Sequence, residues 1–242
     1  DFAGLAQHFD RLEKSGINGI LVMGSIGEFA TLSLDERLTL IEKAREFTAL
    51  PLIAHTSATH VPDIIAMSKK AKECGYEAVM ILPHYYYAQT KAQILEYYID
   101  IDQQIDFPWF IYNFPARTGC DVDASIVVEL LRCCPNFVGI KDTVDTLSHT
   151  REIVLQAIAQ NADFAVLAGY DEYLAPNLLN GGSGVLSGLT TLVPEVFAAI
   201  IKAYHANDLV ALAENHQKLS QLMSVYSIGN DFVTTIKTAV SR

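Results

Sequence analysis

The chain is short of positive charge. Against 28 aspartates and glutamates stand 17 lysines and arginines, a formal net charge of −11, and no basic cluster is longer than Lys69-Lys70. Such a surface is a poor partner for phosphate backbones and anionic membranes, so neither nucleic acid nor membrane is expected. Paired cysteines are missing as well. Cys74, Cys120, Cys133 and Cys134 show no C-x-x-C spacing, and the adjacent pair is badly placed for bridging, which suits reduced thiols in a cytoplasmic protein. No run has the length and apolarity of a membrane span, and the opening "DFAGLAQHFDRLEKSG" is not patterned like a signal peptide. A dinucleotide-binding sheet lacks its fingerprint: "LNGGSGVLSG" has its glycines before a strand rather than between strand and helix.

What remains is ample for one buried core, since half of the 242 residues are hydrophobic. Apolar runs alternate with segments of helical spacing along the whole length. Residues 2–15 carry Phe2, Leu5, Phe9 and Leu12 on one helical face, and "GINGILVMG" follows as a buried strand. Ser33 and Glu36 form a capping box in front of "LDERLTLIEKAREFT". The strands "LPLIAHT", "AVMIL", "PWFIYNF", "NFVGIKD", "FAVLAG" and "GVLSG" come next, with helices predicted over 62–74, 91–105, 123–133, 147–159 and 173–179. Seven apolar strands separated by helices are the grammar of a parallel α/β protein. A (β/α)8 barrel of roughly 250 residues requires eight strands. The expectation is therefore a barrel over residues 1–193 whose first strand would precede Asp1. Residues 194–242 are expected as C-terminal helices packed on it within a single structural domain.

In such a barrel the working residues sit at the C-terminal strand ends. Those ends read Gly24-Ser25, His55-Thr56, His84-Tyr85, Tyr112-Asn113, Lys141-Asp142-Thr143, Gly169-Tyr170-Asp171-Glu172 and Ser187-Gly188. They hold many hydroxyls and a single lysine. Alternation along "NFVGIKD" puts Phe137, Gly139, Lys141 and Thr143 on one face, with Val138, Ile140 and Asp142 on the other. A desolvated lysine loses its preference for the charged form and can attack a ketone to give a Schiff base. The bland reading is a lysine that snorkels or pairs with a carboxylate. Tyr112, one strand earlier, is a core phenol or a proton donor relayed through a neighbouring hydroxyl, for which Ser25 is placed. The turn "MGSIGEFATLS" is a plain strand-to-helix turn or an anion cradle of backbone amides. Glu28 and Phe29 look structural. Arg117 in "PARTG" holds a second carboxylate or braces its loop. Asp171 and Glu172 read hydroxyls of a sugar-like chain or form a solvated acidic loop. The run "HYYYAQ" suits a subunit interface.

Taken together, "GSIGE", "YNFPARTG", "GIKDT" and "GYDE" on successive strand ends resemble the dihydrodipicolinate synthase / N-acetylneuraminate lyase family along essentially the whole chain. The resemblance implies a tetrameric (β/α)8 barrel that binds pyruvate as a Schiff base without metal or organic cofactor. It implies Lys141 as the Schiff-base lysine and Tyr112 as the proton-transferring phenol. Gly24 and Ser25 then fall in the carboxylate-binding turn, and Tyr85 matches a tyrosine lent across a dimer interface. Thr143 matches a pocket threonine, and Leu186 a residue whose carbonyl faces the lysine. The family's last helices would be lacking. Ile26 stands where the family usually has threonine, which removes a hydroxyl donor to the carboxylate, on the order of 1 kcal/mol.

The motif set is closest to the branch that splits 2-keto-3-deoxy sugar acids into pyruvate and an aldehyde. Arg117 points instead toward condensation of pyruvate with aspartate semialdehyde, and sialic acid cleavage is a third option. Two other classes stay in view: a metal-dependent aldolase with His55 and His84 as ligands, and a non-catalytic relative that binds a small acid and regulates.

Overall fold

Asp1 starts helix α1 (Phe2–Lys14) by accepting the Gly4 N–H on its carboxylate. From there strands and helices alternate in a computed structural model that describes residues 1–229 and 231–241. The strands are β1 (Ile20–Val22), β2 (Leu52–His55), β3 (Ala78–Ile81), β4 (Trp109–Asn113), β5 (Phe137–Asp142), β6 (Ala165–Ala168) and β7 (Gly184–Val185). Between them lie α2 (Leu34–Glu46), α3 (Val61–Glu73), α4 (Lys91–Ile105), α5 (Pro115–Thr118), α6 (Ala124–Cys133), α7 (Leu147–Gln160) and α8 (Leu174–Leu179). Helices α9 (Pro194–His205), α10 (Leu209–Leu222) and α11 (Phe232–Val240) complete the order. Helix α2 begins on the expected capping box, with the Ser33 hydroxyl taking the Glu36 N–H and the Glu36 carboxylate taking the Ser33 N–H.

The seven strands pair in chain order, each parallel to the next. The sheet curls far enough for residues of β1 and β7 to line the same cavity. On the outside, Arg11 of α1 donates to the carbonyls of Thr191 and Leu192 ahead of α9, at 3.1 and 2.6 Å, and so draws the two ends together.

Strand alternation sorts the side chains into two layers. Leu52, Ala54, Val79, Ile81, Trp109 and Ile111 face the helices and join the main core. Met80, Leu82 and Tyr112 face inward, with Leu21, Ile53, Phe110 and Leu186 packed against them. A third cluster, built from Leu174, Leu189, Phe197, Leu219 and Ile236, binds α8 to the last three helices. Trp109 anchors the outer layer: it stacks between Tyr98 and Phe137 and donates its indole N–H to Asp102 at 2.7 Å.

One feature of β5 departs from simple alternation. Trp109 pairs with Phe137, yet the next residue, Phe110, pairs with Gly139, so Val138 is a bulge. Phe137 therefore stacks on Trp109 in the outer layer with Ile140, not on the face of Lys141. Gly139 is needed beyond the bulge because a Cβ there would come within 2.2 Å of the Phe110 ring and 2.6 Å of the Ala165 carbonyl.

Candidate active site

The turn after β1 is wound tightly. Met23 and Glu28 both have positive φ, 63° and 56°, and the Glu28 N–H closes on the Ser25 carbonyl at 3.1 Å. Gly27 folds back so closely that a Cβ would lie 3.1 Å from the Met23 Cα and 3.3 Å from the Gly24 nitrogen and oxygen. The N–H groups of Ser25 and Ile26 meet no acceptor among the described residues, and both residues line the cavity. This is the arrangement an anion cradle requires. Glu28 and Phe29 serve the scaffold: Glu28 pairs with Lys237 of α11 at 2.6 Å, and Phe29 packs edge-on against His55.

Register places Lys141 of β5 directly beside Tyr112 of β4. Lys141 is only 7% exposed, its Nζ sits 4.0 Å from the centre of the Tyr112 ring, and it joins no ion pair among the described residues. The Tyr112 hydroxyl lies 3.1 Å from Ser25 Oγ, joining turn and strand. Burial by itself would push the Tyr112 phenol up. The Lys141 charge and the hydrogen bond with Ser25 outweigh that and hold it below the ordinary tyrosine range.

The carboxylate next to Lys141 in sequence is turned away from it. Asp142 accepts from Asn113 Nδ2 at 2.9 Å, His149 Nδ1 at 3.0 Å and Thr150 Oγ1 at 2.6 Å. His149 Nε2 also lies 3.4 Å from Asp121, and the two carboxylates, Asp121 first and then Asp142, raise its pKa to about 10. This knot fastens the loop after β4 to β5 and α7, and it keeps the lysine clear of a counter-ion.

The cavity has a volume of about 1700 Å³, and Gly24, Ser25, Ile26, Tyr112, Lys141, Thr143 and Leu186 all line it. Thr143 Oγ1 is buried without a hydrogen-bond partner among the described residues, as are Ser187 Oγ and Glu172 Oε2. Arg117 reaches the rim exposed, with its guanidinium 5.8 Å over the Phe232 ring.

Three further residues have well-defined surroundings. Asp171 borders the cavity, but it is 3% exposed and both its oxygens are taken, one by the Leu189 N–H and the other by the Tyr226 hydroxyl, each at 2.9 Å. It braces β6 against the C-terminal segment, and each oxygen keeps one further acceptor site toward the cavity. Tyr85 lies outside the Lys141 cavity, beside Phe29, Arg37 and Asp63 in a separate small pocket, and burial pushes its hydroxyl up. His55 has both ring nitrogens engaged, by the Met23 carbonyl and the Ser57 hydroxyl, which leaves none for a metal.

Tyr226, Phe232 and Lys237 also border the cavity or its entrance, and the sequence offered no sign of them. They belong to the helices after residue 193. Nothing in their spacing says which strand end those helices cover.

The sequence profile described as the dihydrodipicolinate synthetase family matches residues 1–242. The chain belongs to this family. It is 32% identical over 242 residues to the putative 2-dehydro-3-deoxy-D-gluconate aldolase YagE of Escherichia coli (strain K12), covering 99% of this chain and 80% of YagE. The probable 2-dehydro-3-deoxy-D-pentonate aldolase YjhH of the same organism is 29% identical, over 94% of this chain and 76% of YjhH. Among solved structures of the family, that of YagE in complex with pyruvate superposes with a TM-score of 0.96 at 32% identity, covering 100% of this chain and 82% of that one. Dihydrodipicolinate synthase from Aquifex aeolicus gives 0.91 at 28% identity, covering 99% and 81%.

Proposed function

We propose that the chain is a pyruvate-dependent lyase of the Schiff-base class, which cleaves or forms a 2-keto-3-deoxy sugar acid. One observation carries the reading. A buried lysine with no counter-ion among the described residues lies against the ring of a phenol whose hydroxyl is 3.1 Å from a serine on an amide-lined turn.

The steps follow from ordinary carbonyl chemistry. Lys141 Nζ adds to C2 of the 2-oxo acid, and the carbinolamine loses water to give an iminium. The carboxylate of the substrate rests on the N–H groups of Ser25 and Ile26, with Gly24 giving close backbone approach. Loss of the C4 hydroxyl proton breaks the C3–C4 bond, releases the aldehyde and leaves an enamine on Lys141. Protonation at C3 and hydrolysis then free pyruvate and the amine. Tyr112 is the group placed to give and take these protons, with Ser25 as its relay. Its lowered pKa suits a phenol that must part with its proton.

A polyhydroxylated substrate suits the walls. Buried hydroxyl and carboxyl atoms without partners are costly, and Thr143, Ser187 and Glu172 present three of them near the cavity. Two of the relatives carry names of 2-keto-3-deoxy sugar acid aldolases, and YagE was crystallised with pyruvate. Arg117 at the rim favours a second reading, condensation of pyruvate with aspartate semialdehyde. Ile26 weighs against it. Its side chain packs into the apolar cluster of the last helices instead of presenting a hydroxyl. Leu186 lines the same cavity as Lys141.

The wider reading is a (β/α)8 ring in which these strands take seven places, the eighth lying between β1 and β7. Residues 1–193 and 194–242 act as one domain, in a homotetramer of the cytoplasm. Tyr85 of a neighbouring subunit would join the proton path, consistent with its place outside this chain's own cavity. No described helix is long and apolar enough to cross a membrane. Steady-state comparison of 2-keto-3-deoxygluconate cleavage with aspartate-semialdehyde condensation tests the assignment. A higher kcat/KM for the sugar acid is expected, and preference for the semialdehyde would replace it with the second reading.

A further inference from the structure

His55 is wholly buried at the inward end of β2 and does not line the cavity, so it touches neither substrate nor reacting atoms. It nevertheless touches both the peptide that leads into Gly24-Ser25 and the ring of Tyr112. We propose that His55 is a positioning residue that holds the Met23 carbonyl and thereby fixes Ser25 opposite Tyr112. The proposal rests on the Schiff-base reading above.

The hydrogen-bond chain admits one direction. A carbonyl only accepts, so His55 Nδ1, 3.0 Å from the Met23 oxygen, must carry the proton. Nε2 then accepts from Ser57 Oγ at 2.7 Å, and that hydroxyl in turn accepts the Leu82 N–H, also at 2.7 Å. Arg37, itself buried, donates to the carbonyls of Ser57 and His55, both at 2.8 Å, and locks the strand end. Burial and then the Arg37 charge depress the imidazole pKa to about 3, so the ring stays neutral and keeps this tautomer.

What the bond secures is unusual backbone. Met23 has φ of 63°, a conformation a non-glycine side chain seldom adopts, and it turns the carbonyl toward β2. Gly24 and Ser25 follow at once, so the orientation of this peptide sets the place of Ser25 Oγ. The imidazole also meets the Tyr112 ring, with centroids 5.6 Å apart at 70°, and the Phe29 ring at 4.3 Å and 89°. A single side chain therefore registers the relay serine and the phenol against each other. A displacement of about 1 Å in such a constellation costs about 10²-fold in rate.

Two substitutions separate this role from simple packing. Asparagine at 55 offers an N–H near the position of Nδ1, whereas glutamine offers one near Nε2 and nothing toward Met23. The wild type, His55→Asn and His55→Gln are compared for kcat, KM and the amount of pyruvate reduced onto Lys141 by borohydride. H55N is expected to keep kcat/KM within about fivefold of wild type, and H55Q to lose about 10- to 100-fold, chiefly in kcat. Equal kcat/KM in the two variants, whether retained or lost, overturns the proposal. A measurement on the unaltered protein guards against misfolded variants. Nitrogen NMR should find His55 protonated on Nδ1 and without titration from about pH 5 to 8, and an Nε2–H tautomer or a midpoint near the ordinary 6.5 overturns the assignment. Wild type that traps no pyruvate fails the Schiff-base reading. Wild type that traps it beside indifferent variants fails the His55 assignment alone.

Discussion

Replacing Tyr112 with phenylalanine removes one oxygen and leaves the ring. The ring keeps its contact with Lys141 at 4.0 Å, its edge contact with His55 at 5.6 Å and its stacking on Phe114 at 5.9 Å. The structural loss is one hydrogen bond, to Ser25 at 3.1 Å. That predicts destabilisation of only about 0.5–1.5 kcal/mol in urea unfolding. A proton donor in the transition state is worth more, about 10²–10⁴-fold in rate, equivalent to about 2.7–5.5 kcal/mol of barrier. Activity should thus fall well beyond what stability explains. The assay is pyruvate release from the sugar acid, followed through a coupled dehydrogenase, with single-turnover borohydride trapping to separate imine formation from bond cleavage. The pH profile adds a second signature. The Tyr112 phenol is held below its usual range, so wild type should carry an alkaline limb below about pH 10 that the variant lacks. Activity of Tyr112→Phe within about threefold of wild type, or a rate loss no larger than the stability loss, would refute the role.

His149 binds its proton more tightly folded than unfolded, with a pKa raised to about 10, so its contribution is complete below about pH 6.5 and fades as pH rises through about 10. Thermal unfolding of wild type should show that decline and His149→Gln should not; parallel curves would contradict it. Asp171→Ala strands the Leu189 N–H and the Tyr226 hydroxyl and should cost about 1–3 kcal/mol in urea unfolding. Unchanged stability combined with a raised KM would return Asp171 to substrate binding.

The parts of this molecule that are local in sequence were legible in it. Seven apolar runs became seven parallel strands because buried parallel strands need no polar face. Ser33 and Glu36 announced α2 through a box of three residues' span. Lys141 and Tyr112 stood at consecutive strand ends, and in-register parallel pairing makes such ends neighbours. Period-two counting failed at Val138, where a bulge turns Phe137 outward, because a bulge answers to the neighbouring strand and leaves no local mark. Asp171 read from the sequence alone shows no partner, whereas Tyr226, 55 residues away, donates to it in the fold. The Met23–His55 bond spans 32 residues, and α11 meets the turn through Lys237 and Glu28 across 209. Such pairings depend on how the sheet curls and which helix follows which strand.

All of the proposed chemistry depends on one covalent event, capture of the pyruvate C2 by Lys141 Nζ. The protein is incubated with pyruvate, reduced with borohydride, digested and analysed by mass spectrometry, with Lys141→Ala in parallel. Reduced pyruvate on the peptide that contains Lys141, absent without pyruvate and absent from the variant, is the predicted result. An unmodified Lys141 peptide in a preparation that still releases pyruvate from its substrate would contradict it.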